Sequence, residues 1–192
     1  MTGPPLVSIV IPVYNGADFL REAIDSALAQ TYPDVEVVVV DDGSNDGGET
    51  EAIARSCGER IRYIRKPNGG VASALNSGIR EMRGKYFCWL SHDDVFLPRK
   101  VALQVARMEA EGGDVVLYSD YEIIDGAGRP RGGFRAGELP PVPFRRALVA
   151  DMPVNGCTVM APKRLLERAG LFDERLRTTQ DVDLWFRMAP AC

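Results

Sequence analysis

The sequence lacks the features that mark several large classes of protein. Its four cysteines lie far apart and form no CxxC pair, which argues against a zinc site and against a dense disulfide framework. No run approaches the ~20 apolar residues of a membrane-spanning helix, and residues 1–5 are too short and too uncharged for a signal peptide. These absences predict reduced thiols and a soluble, cytoplasmic domain, which in a longer parent protein could lie at the cytoplasmic face of a membrane.

Positive charge is also scarce. The 192 residues include 23 Lys and Arg against 27 Asp and Glu, a formal net charge of −4. Binding nucleic acid needs a cationic surface, so this balance argues against a nucleic-acid partner and favours a small-molecule substrate. With 45% hydrophobic residues, the chain is long enough to bury one good-sized core. We therefore expect a single domain spanning residues 1–192.

Short apolar runs alternate with amphipathic segments through residues 1–118. Strands are predicted at five places: Leu6–Ile11 (stopped by Pro12), Val35–Val40, Ile61–Ile64, Tyr86–Leu90 and Val115–Tyr118. Helices are predicted between them: Ala17–Gln30, Thr50–Ser56, Val71–Met82 and Arg99–Glu111. The second strand is almost wholly β-branched, as expected of a central parallel strand covered on both faces. This order predicts an α/β fold with a mostly parallel, doubly wound (Rossmann-like) sheet flanked by helices.

The remaining residues, 119–192, are less regular. Asp125–Phe144 is rich in Gly, Pro and Arg and is predicted to be a loop. An apolar stretch at Cys157–Ala161 follows, and helices are predicted at Pro162–Ala169 and Asp181–Met188. The sequence stops soon after the last helix, so we expect a parent protein that has been truncated at its carboxyl terminus.

Polar side chains follow three of the predicted strands. These are Pro12, Tyr14 and Asn15 after the first, Asp41 and Asp42 after the second, and Ser91, His92, Asp93 and Asp94 after the fourth. In an open parallel sheet, ligands bind beyond the carboxyl ends of the strands, where the strand order reverses. If strands two and four flank strand one, all three clusters share one crevice.

The two aspartate pairs indicate a metal site. Adjacent carboxylates repel one another, so a cation or hydrogen-bond donors must offset the cost. Oxygen ligands favour hard ions, and Mg²⁺ or Mn²⁺ binds through one or two carboxylates plus substrate phosphates, which implies a nucleoside diphosphate. A single Asp-Asp pair is more often turn chemistry. Two pairs that end two strands of one sheet reverse that balance.

Three other features have competing interpretations. Gly69 and Gly70 either let helix amides approach a phosphate or make a tight turn. The single histidine, His92, is at most a neighbour of the site rather than a ligand. Asp181 and Asp183 precede an apolar helical run, where acidic residues ordinarily complement the helix dipole.

Taken together, these motifs resemble the inverting glycosyltransferases of family 2, which have the GT-A fold. The resemblance extends from Val7 to about Met188. Its opening signature corresponds to three segments: Val7–Gly16, Ala27–Pro33 and Val39–Gly47. The second block and the acidic motif correspond to Asn68–Ala72 with Asn76 and Gly78, and to Leu90–Asp94 with Pro98. An acceptor-side block corresponds to Gly170–Glu174 and Gln180–Trp185.

The resemblance implies specific roles. Residues 1–118 would bind the nucleotide sugar, and residues 119–192 would form the acceptor side. The implied donor contacts are Pro12, Tyr14 and Asp42 at the nucleotide base, Asp93 at the ribose or neighbouring sugar, and around them Asn15, Asp41, Asn68, Gly70 and Asn76. Asp94 would bind the divalent metal, Mn²⁺ or Mg²⁺. Asp181 would be the general base.

The implied reaction is a direct displacement at the anomeric carbon with inversion. Metal held at Asp94 would neutralise charge on the leaving nucleoside diphosphate, while Asp181 takes a proton from the acceptor hydroxyl. The expected donor is a UDP-sugar, with GDP or TDP as alternatives. The expected acceptor is a saccharide or lipid-linked molecule in cell-surface polysaccharide, lipopolysaccharide or glycolipid synthesis.

Two residues depart from the family pattern, and other functions compete with this interpretation. Many members have aspartate at the position of Ser91 and arginine at that of Leu75, so metal binding could be weaker and the grip on the nucleotide altered. A sugar-nucleotide pyrophosphorylase would need a Gly-rich basic loop after strand one, and the GxGxxG and GxxxxGK[ST] motifs of other nucleotide-binding enzymes are missing. A sugar-nucleotide-binding module without transfer activity is the remaining alternative, because a fold can outlive its activity.

Overall fold

The computed structural model describes residues 3–112, 114–137, 146–148 and 154–189. Its strands are β1 (Val7–Val13), β2 (Val35–Asp41), β3 (Arg62–Arg65), β4 (Tyr86–Trp89), β5 (Tyr121–Ile124), β6 (Pro130–Phe134) and β7 (Met160–Pro162). Within the described ranges, five of them form one sheet in the order β3-β2-β1-β4-β7. The first four are parallel, and β7 runs antiparallel to β4.

Helices cover both faces of this sheet. They are α1 (Leu20–Leu28), α2 (Glu49–Ser56), α3 (Val71–Glu81), α4 (Lys100–Glu111), α5 (Lys163–Arg168) and α6 (Gln180–Met188). Because strand side chains alternate between faces, Ile9 and Ile11 pack with α1, α2 and α4, whereas Val10 packs with α3, α5 and α6. The buried strands therefore have a core on each side, which explains their unbroken apolar sequence.

The strand order confirms that β2 and β4 flank β1. From β1 the chain winds outward through β2 to β3, and α3 then carries it back across to β4 on the other side of β1. The carboxyl ends of β1, β2 and β4 consequently meet at the point where the winding direction reverses, which is where ligands bind in open α/β sheets.

Two predictions about the second half of the chain are wrong. Val115–Tyr118 is not a fifth parallel strand, because its only pairing among the described residues is an isolated antiparallel bridge between Leu117 and Met160. The predicted loop Asp125–Phe144 contains β6, which pairs with β5 in a separate hairpin. Residues 138–144 of that loop lie outside the described residues. Both errors concern antiparallel pairing: Leu117 meets a distant partner, Met160, whereas β5 and β6 are neighbours in the chain.

The predicted stop at Pro12 is also wrong, because β1 continues through it to Val13. The carbonyl of Val10 accepts a hydrogen bond from Leu90 N at 3.0 Å, so Val10 faces β4. Alternate residues face alternate neighbours, and the Pro12 nitrogen therefore faces the same side, where the β1–β4 ladder has already ended. No ladder hydrogen bond is lost, and the strand tolerates proline.

The cysteines and helices agree with the expectations from composition. Cys57, Cys88 and Cys157 are free thiols, and Cys192 lies outside the described residues. No helix within the described part of the chain is both long enough and apolar enough to cross a membrane.

Candidate functional site

Asp41, the last residue of β2, is completely buried, and both of its carboxylate oxygens accept hydrogen bonds. Its carboxylate accepts hydrogen bonds from Ser44 N at 2.8 Å and from the Tyr63 hydroxyl at 2.5 Å, and lies 3.8 Å from the Arg65 guanidinium. Burial and the bond to Asp41 raise the pKa of Tyr63. Asp41 has no surface available to a ligand, so its contribution is to hold the turn after β2.

Asp42 is also buried, but at the rim of the crevice. Its carboxylate accepts hydrogen bonds from Lys66 Nζ at 2.6 Å, from Gly69 N at 3.1 Å and from Gly70 N at 2.6 Å. Gly70 has a φ of 87°, a conformation that favours glycine. The glycine pair thus forms a tight turn whose amides bind Asp42. Asn68, which precedes the pair, is exposed.

Tyr14, just after β1, presents an exposed aromatic ring, and the loop around it is held by hydrogen bonds between Asn15 and Asn45. Tyr14 is 45% exposed. Next to it, Asn15 Nδ2 donates to Asn45 Oδ1 at 2.8 Å, and Asn45 N donates back to Asn15 Oδ1 at 2.8 Å. Asn15 N also donates to Ser44 Oγ at 2.9 Å. These bonds fasten the β1 loop to the β2 loop. Tyr14 and Asp42 therefore lie on neighbouring loops at the same edge of the sheet. Pro12 itself is buried.

Asp93 and Asp94 are both exposed at the end of β4. Asp94 N donates to Ser91 O at 3.2 Å, which turns the backbone just after the strand. In the described part of the chain, no group of three or more His, Cys, Asp or Glu side chains could hold a metal ion. One or two exposed carboxylates nevertheless fit Mg²⁺ or Mn²⁺, because these ions take the remaining ligands from water and substrate phosphates.

Ser91 and the Cys157 thiol lie together behind this acidic pair. Cys157 Sγ is 3.1 Å from Ser91 Oγ and accepts a hydrogen bond from Ser91 N at 3.3 Å. Burial, followed by the charge of Asp94 and a hydrogen bond to it, raises the pKa of the Cys157 thiol. The thiol's direct contacts are with Ser91, whose carbonyl in turn accepts from Asp94 N. Sequence reasoning missed it because Cys157 is 66 residues from Ser91.

His92 joins the β4 end to the β1 loop. A Cβ on Gly16 would lie 2.4 Å from the His92 ring, so the imidazole packs directly on the backbone there. His92 Nε2 is 3.9 Å from Asp18 Oδ1. These contacts agree with a residue beside the site rather than a ligand in it.

Asn76 is buried away from the crevice and joins two parts of the fold. Its Nδ2 donates to Phe172 O and to Glu174 Oε1, each at 2.9 Å, and its Oδ1 accepts from Phe172 N at 2.9 Å. All of its amide is thus used to hold the segment before α6. This arrangement gives Asn76 a structural role in place of the predicted donor contact.

Asp181 lies in the first turn of α6 and is half-buried. Among the described residues it has no hydrogen-bond or ion-pair partner, whereas Asp183 pairs with Arg187 at 2.7 Å. One turn further along α6, Trp185 packs edge-on against Phe172, which packs edge-on against Trp89 at the end of β4, both with ring centroids 6.0 Å apart. Two ring contacts therefore connect the helix of Asp181 to the strand of the acidic pair.

The comparisons with known proteins agree with this geometry. Residues 8–165 match the family described as Glycosyl transferase family 2. The chain belongs to this family. It is 48% identical over 190 residues to an uncharacterized glycosyltransferase of Rickettsia felis, covering 96% of the chain and 31% of the relative. It is 45% identical over 187 residues to chondroitin synthase of Pasteurella multocida, covering 96% of the chain and 19% of that relative. The chain thus spans a third or less of the length of these family 2 relatives.

Solved structures of glycosyltransferases share the fold of this family 2 chain. Staphylococcus aureus TarS 1–349 in complex with UDP-GlcNAc has a TM-score of 0.73 at 22% identity, covering 96% of this chain and 52% of that one. Mannosyltransferase PcManGT from Pyrobaculum calidifontis, in complex with GDP-Man and Mn²⁺, has a TM-score of 0.65 at 24% identity, covering 91% and 49%. These likenesses confirm the predicted α/β fold of the GT-A type.

Proposed function

We propose that this family 2 chain is the donor-binding and catalytic domain of a metal-dependent, inverting glycosyltransferase. The observation that carries the proposal is the pair of exposed carboxylates, Asp93 and Asp94, which follow β4 at the switch point of the sheet. Family membership disfavours a pyrophosphorylase. The unpaired carboxylate of Asp181 disfavours a module that only binds, because among the described residues this acid makes no hydrogen bond or ion pair and does no more for the fold than complement the helix dipole.

The nucleotide base is proposed to bind between Tyr14 and Asp42. A carboxylate has about four lone-pair sites, and Lys66, Gly69 and Gly70 make four contacts with the two oxygens of Asp42, so a base N–H would share a site with one of these donors. Lys66 and the two glycine amides fix the orientation of that carboxylate. Tyr14 offers an exposed ring face, which suits stacking on a flat base.

Asp94 is the proposed metal ligand, and Asp93 is the proposed contact to ribose or the neighbouring sugar. When bound, Mn²⁺ or Mg²⁺ supplies positive charge that stabilises the leaving nucleoside diphosphate. The exposure of both side chains leaves them free to meet a ligand. Their short loop follows directly from β4, so a buried strand limits their movement.

Asp181 is proposed to accept the proton of the attacking hydroxyl. A general base must be within hydrogen-bond reach of that proton and must not be tied up elsewhere. Asp181 meets the second condition within the described residues, and the ring contacts from Trp185 to Trp89 hold its helix at the β4 side of the sheet. Deprotonation by this carboxylate would let the acceptor oxygen attack the anomeric carbon directly.

The donor is proposed to be a UDP-sugar, with GDP- or TDP-sugars as alternatives. TarS is recorded with UDP-GlcNAc and PcManGT with GDP-Man, which supports a nucleoside-diphosphate sugar. The likeness to chondroitin synthase supports a saccharide or lipid-linked acceptor in cell-surface polysaccharide, lipopolysaccharide or glycolipid synthesis. We place this reaction in the cytoplasm or at the cytoplasmic face of a membrane.

A thermal-shift screen tests the proposal. UDP-, GDP- and TDP-sugars are added with and without Mn²⁺, because a ligand that binds only the native state raises its melting temperature. At a ligand concentration of 100 Kd the stabilisation is about 2.7 kcal/mol. Asp94→Ala should lose the part of the shift that depends on Mn²⁺ and keep the rest. If no nucleotide sugar stabilises the wild-type chain in either condition, the assignment is wrong.

A further inference from the structure

Asp93 and Asp94 lie in a short loop, residues 91–95, that is anchored at both ends and is here called the acidic loop. Before the loop, Leu90 N donates to a carbonyl of β1 at 3.0 Å, so the chain leaves a strand that is fixed in the sheet. After the loop, Phe96 is 6% exposed and packs in the core shared with α1 and α4. Because the loop is short, a shift of either anchor would move both carboxylates.

Two side chains at the carboxyl end of α1 hold the second anchor. Ser26 Oγ accepts a hydrogen bond from Phe96 N at 3.1 Å. Gln30 Nε2 donates to Leu97 O at 3.0 Å, and Gln30 Oε1 accepts from Val101 N at 3.0 Å. Both ends of the Gln30 amide are therefore bound to the chain that leads from the acidic loop into α4.

The bond from Val101 to Gln30 also caps α4. Amide groups in the first turn of a helix have no partner within the helix. Val101 N belongs to that turn, and Arg99, the residue before α4, makes no side-chain cap hydrogen bond among the described residues. Thr31 N adds a backbone bond to Pro98 O at 2.8 Å. The point at which the acidic loop ends and α4 begins is thus fixed by the end of α1.

We propose that Gln30 is a positioning residue for Asp93 and Asp94, whose amide fixes the far end of the acidic loop so that the two carboxylates meet the metal and the donor in one arrangement. The inference rests on the proposed function, since it requires Asp94 to be a metal ligand. It gives the segment Ala27–Pro33 of the opening signature a role in the site. A misplacement of about 1 Å caused by a distant substitution can lower a rate by about 100-fold.

The test is a Mn²⁺ titration of the chain in saturating UDP, followed by the electron paramagnetic resonance signal of free Mn²⁺. Gln30→Met keeps the length of the side chain but has no amide, and it should weaken the apparent Mn²⁺ affinity about tenfold. The affinity for UDP without metal should be unchanged, because Tyr14 and Asp42 lie on loops that other hydrogen bonds hold. A purely structural role would lower stability without separating these two affinities.

Tyr32→Phe is the matched control. Tyr32 belongs to the same signature segment, and its hydroxyl donates to Pro5 O at 2.7 Å, before the start of β1. The variant therefore loses a similar bond that does not hold the acidic loop. It should bind Mn²⁺ as wild type does, and thermal unfolding of both variants checks that the fold is intact.

The outcomes separate this inference from the proposed function. Wild-type Mn²⁺ affinity in Gln30→Met, or a loss shared equally by Tyr32→Phe, would overturn the positioning role and leave Asp94 as the proposed metal ligand. A wild-type chain that binds no Mn²⁺ with UDP would overturn the metal assignment itself, and the inference with it. If Gln30→Met does not fold, Ser26→Ala removes only the bond to Phe96 N and should weaken Mn²⁺ binding about threefold. Wild-type affinity in that variant would overturn the inference.

Discussion

The two acids that follow β2 are buried, whereas the two that follow β4 are exposed. Asp41 and Asp42, here called the buried pair, are 0% and 3% exposed and between them accept bonds from Ser44, Tyr63, Lys66, Gly69 and Gly70. Asp93 and Asp94, the exposed pair, follow β4 and are open to solvent. A buried charge is costly unless donors surround it, so the buried pair must serve the fold. The exposed pair stabilises no comparable network and is available to a ligand.

Asp181 belongs with the exposed pair by this criterion. Its carboxylate has no partner among the described residues, while Asp183, two positions along the same helix, pairs with Arg187. The comparison therefore divides the acids into those that build the site and those that act in it. Removing the charge of an acid that builds the site should lower stability. Removing the charge of an acid that acts in the site should lower turnover.

The largest expected effect is on turnover in Asp181→Asn. Removing a general base should lower the rate of sugar transfer by on the order of 10² to 10⁴. Unfolding stability should stay within about 0.5 kcal/mol of wild type, because no contact is lost. The measurement is release of UDP from a UDP-sugar with Mn²⁺, together with thermal unfolding.

Asp183→Asn is the matched control for that variant. It removes a charge from the same helical turn and breaks the pair with Arg187, so it should cost a little stability and leave turnover nearly unchanged. Near-normal turnover in Asp181→Asn would mean that Asp181 is not the general base. A rate loss shared equally by both variants would mean that the helix, and not the base, had been disturbed.

The next effect is on stability in Asp41→Asn. The substitution keeps the shape of the side chain but puts an amide among the Ser44 and Tyr63 donors, and it leaves the nearby Arg65 without its buried partner. We expect a loss of about 3 kcal/mol, in the range for breaking one side of a buried charged contact. Urea denaturation measures it.

Asp93→Asn provides the comparison within the exposed pair. An exposed side chain away from special contacts changes stability by less than about 0.5 kcal/mol. Equal losses in Asp41→Asn and Asp93→Asn would contradict the division of the acids into two groups.

The fold could be predicted from the sequence where neighbours in the chain are also neighbours in space. The apolar runs of β1 and β2 and the periodic helices between them indicated the parallel part of the sheet. Val115–Tyr118 has the same apolar character, yet within the described part of the chain it makes only a single antiparallel bridge, to Met160. Which strand it would meet depends on a segment more than 40 residues away, and periodicity carries no such information.

The division of the acids could not be predicted for the same reason. Both pairs appear in the sequence as Asp-Asp at the end of an apolar strand. The difference arises because Tyr63 and Lys66, with the glycine turn that follows, fold over β2, whereas nothing comparable in the described residues covers Asp93 and Asp94. Likewise, the motif containing Asn76 was recognisable, but its amide is bound by residues 96 and 98 positions away.

A smaller effect than that of Asp41→Asn is expected from removing the cation beside Asp42, because this buried acid also reaches the rim of the crevice. Lys66→Met removes its cation while keeping the apolar stem, and the Gly69 and Gly70 amides still solvate the carboxylate. We expect a stability loss of roughly 1.5 kcal/mol, typical of a charged hydrogen bond, and a change in UDP affinity below about threefold, or 0.7 kcal/mol. Arg80→Met, which breaks the exposed Arg80–Glu174 pair, should cost less than about 0.5 kcal/mol. Unfolding curves and UDP titrations of both variants measure these quantities. Unchanged stability in Lys66→Met with a large loss of UDP affinity would instead mean that the Lys66–Asp42 pair serves the ligand and not the fold.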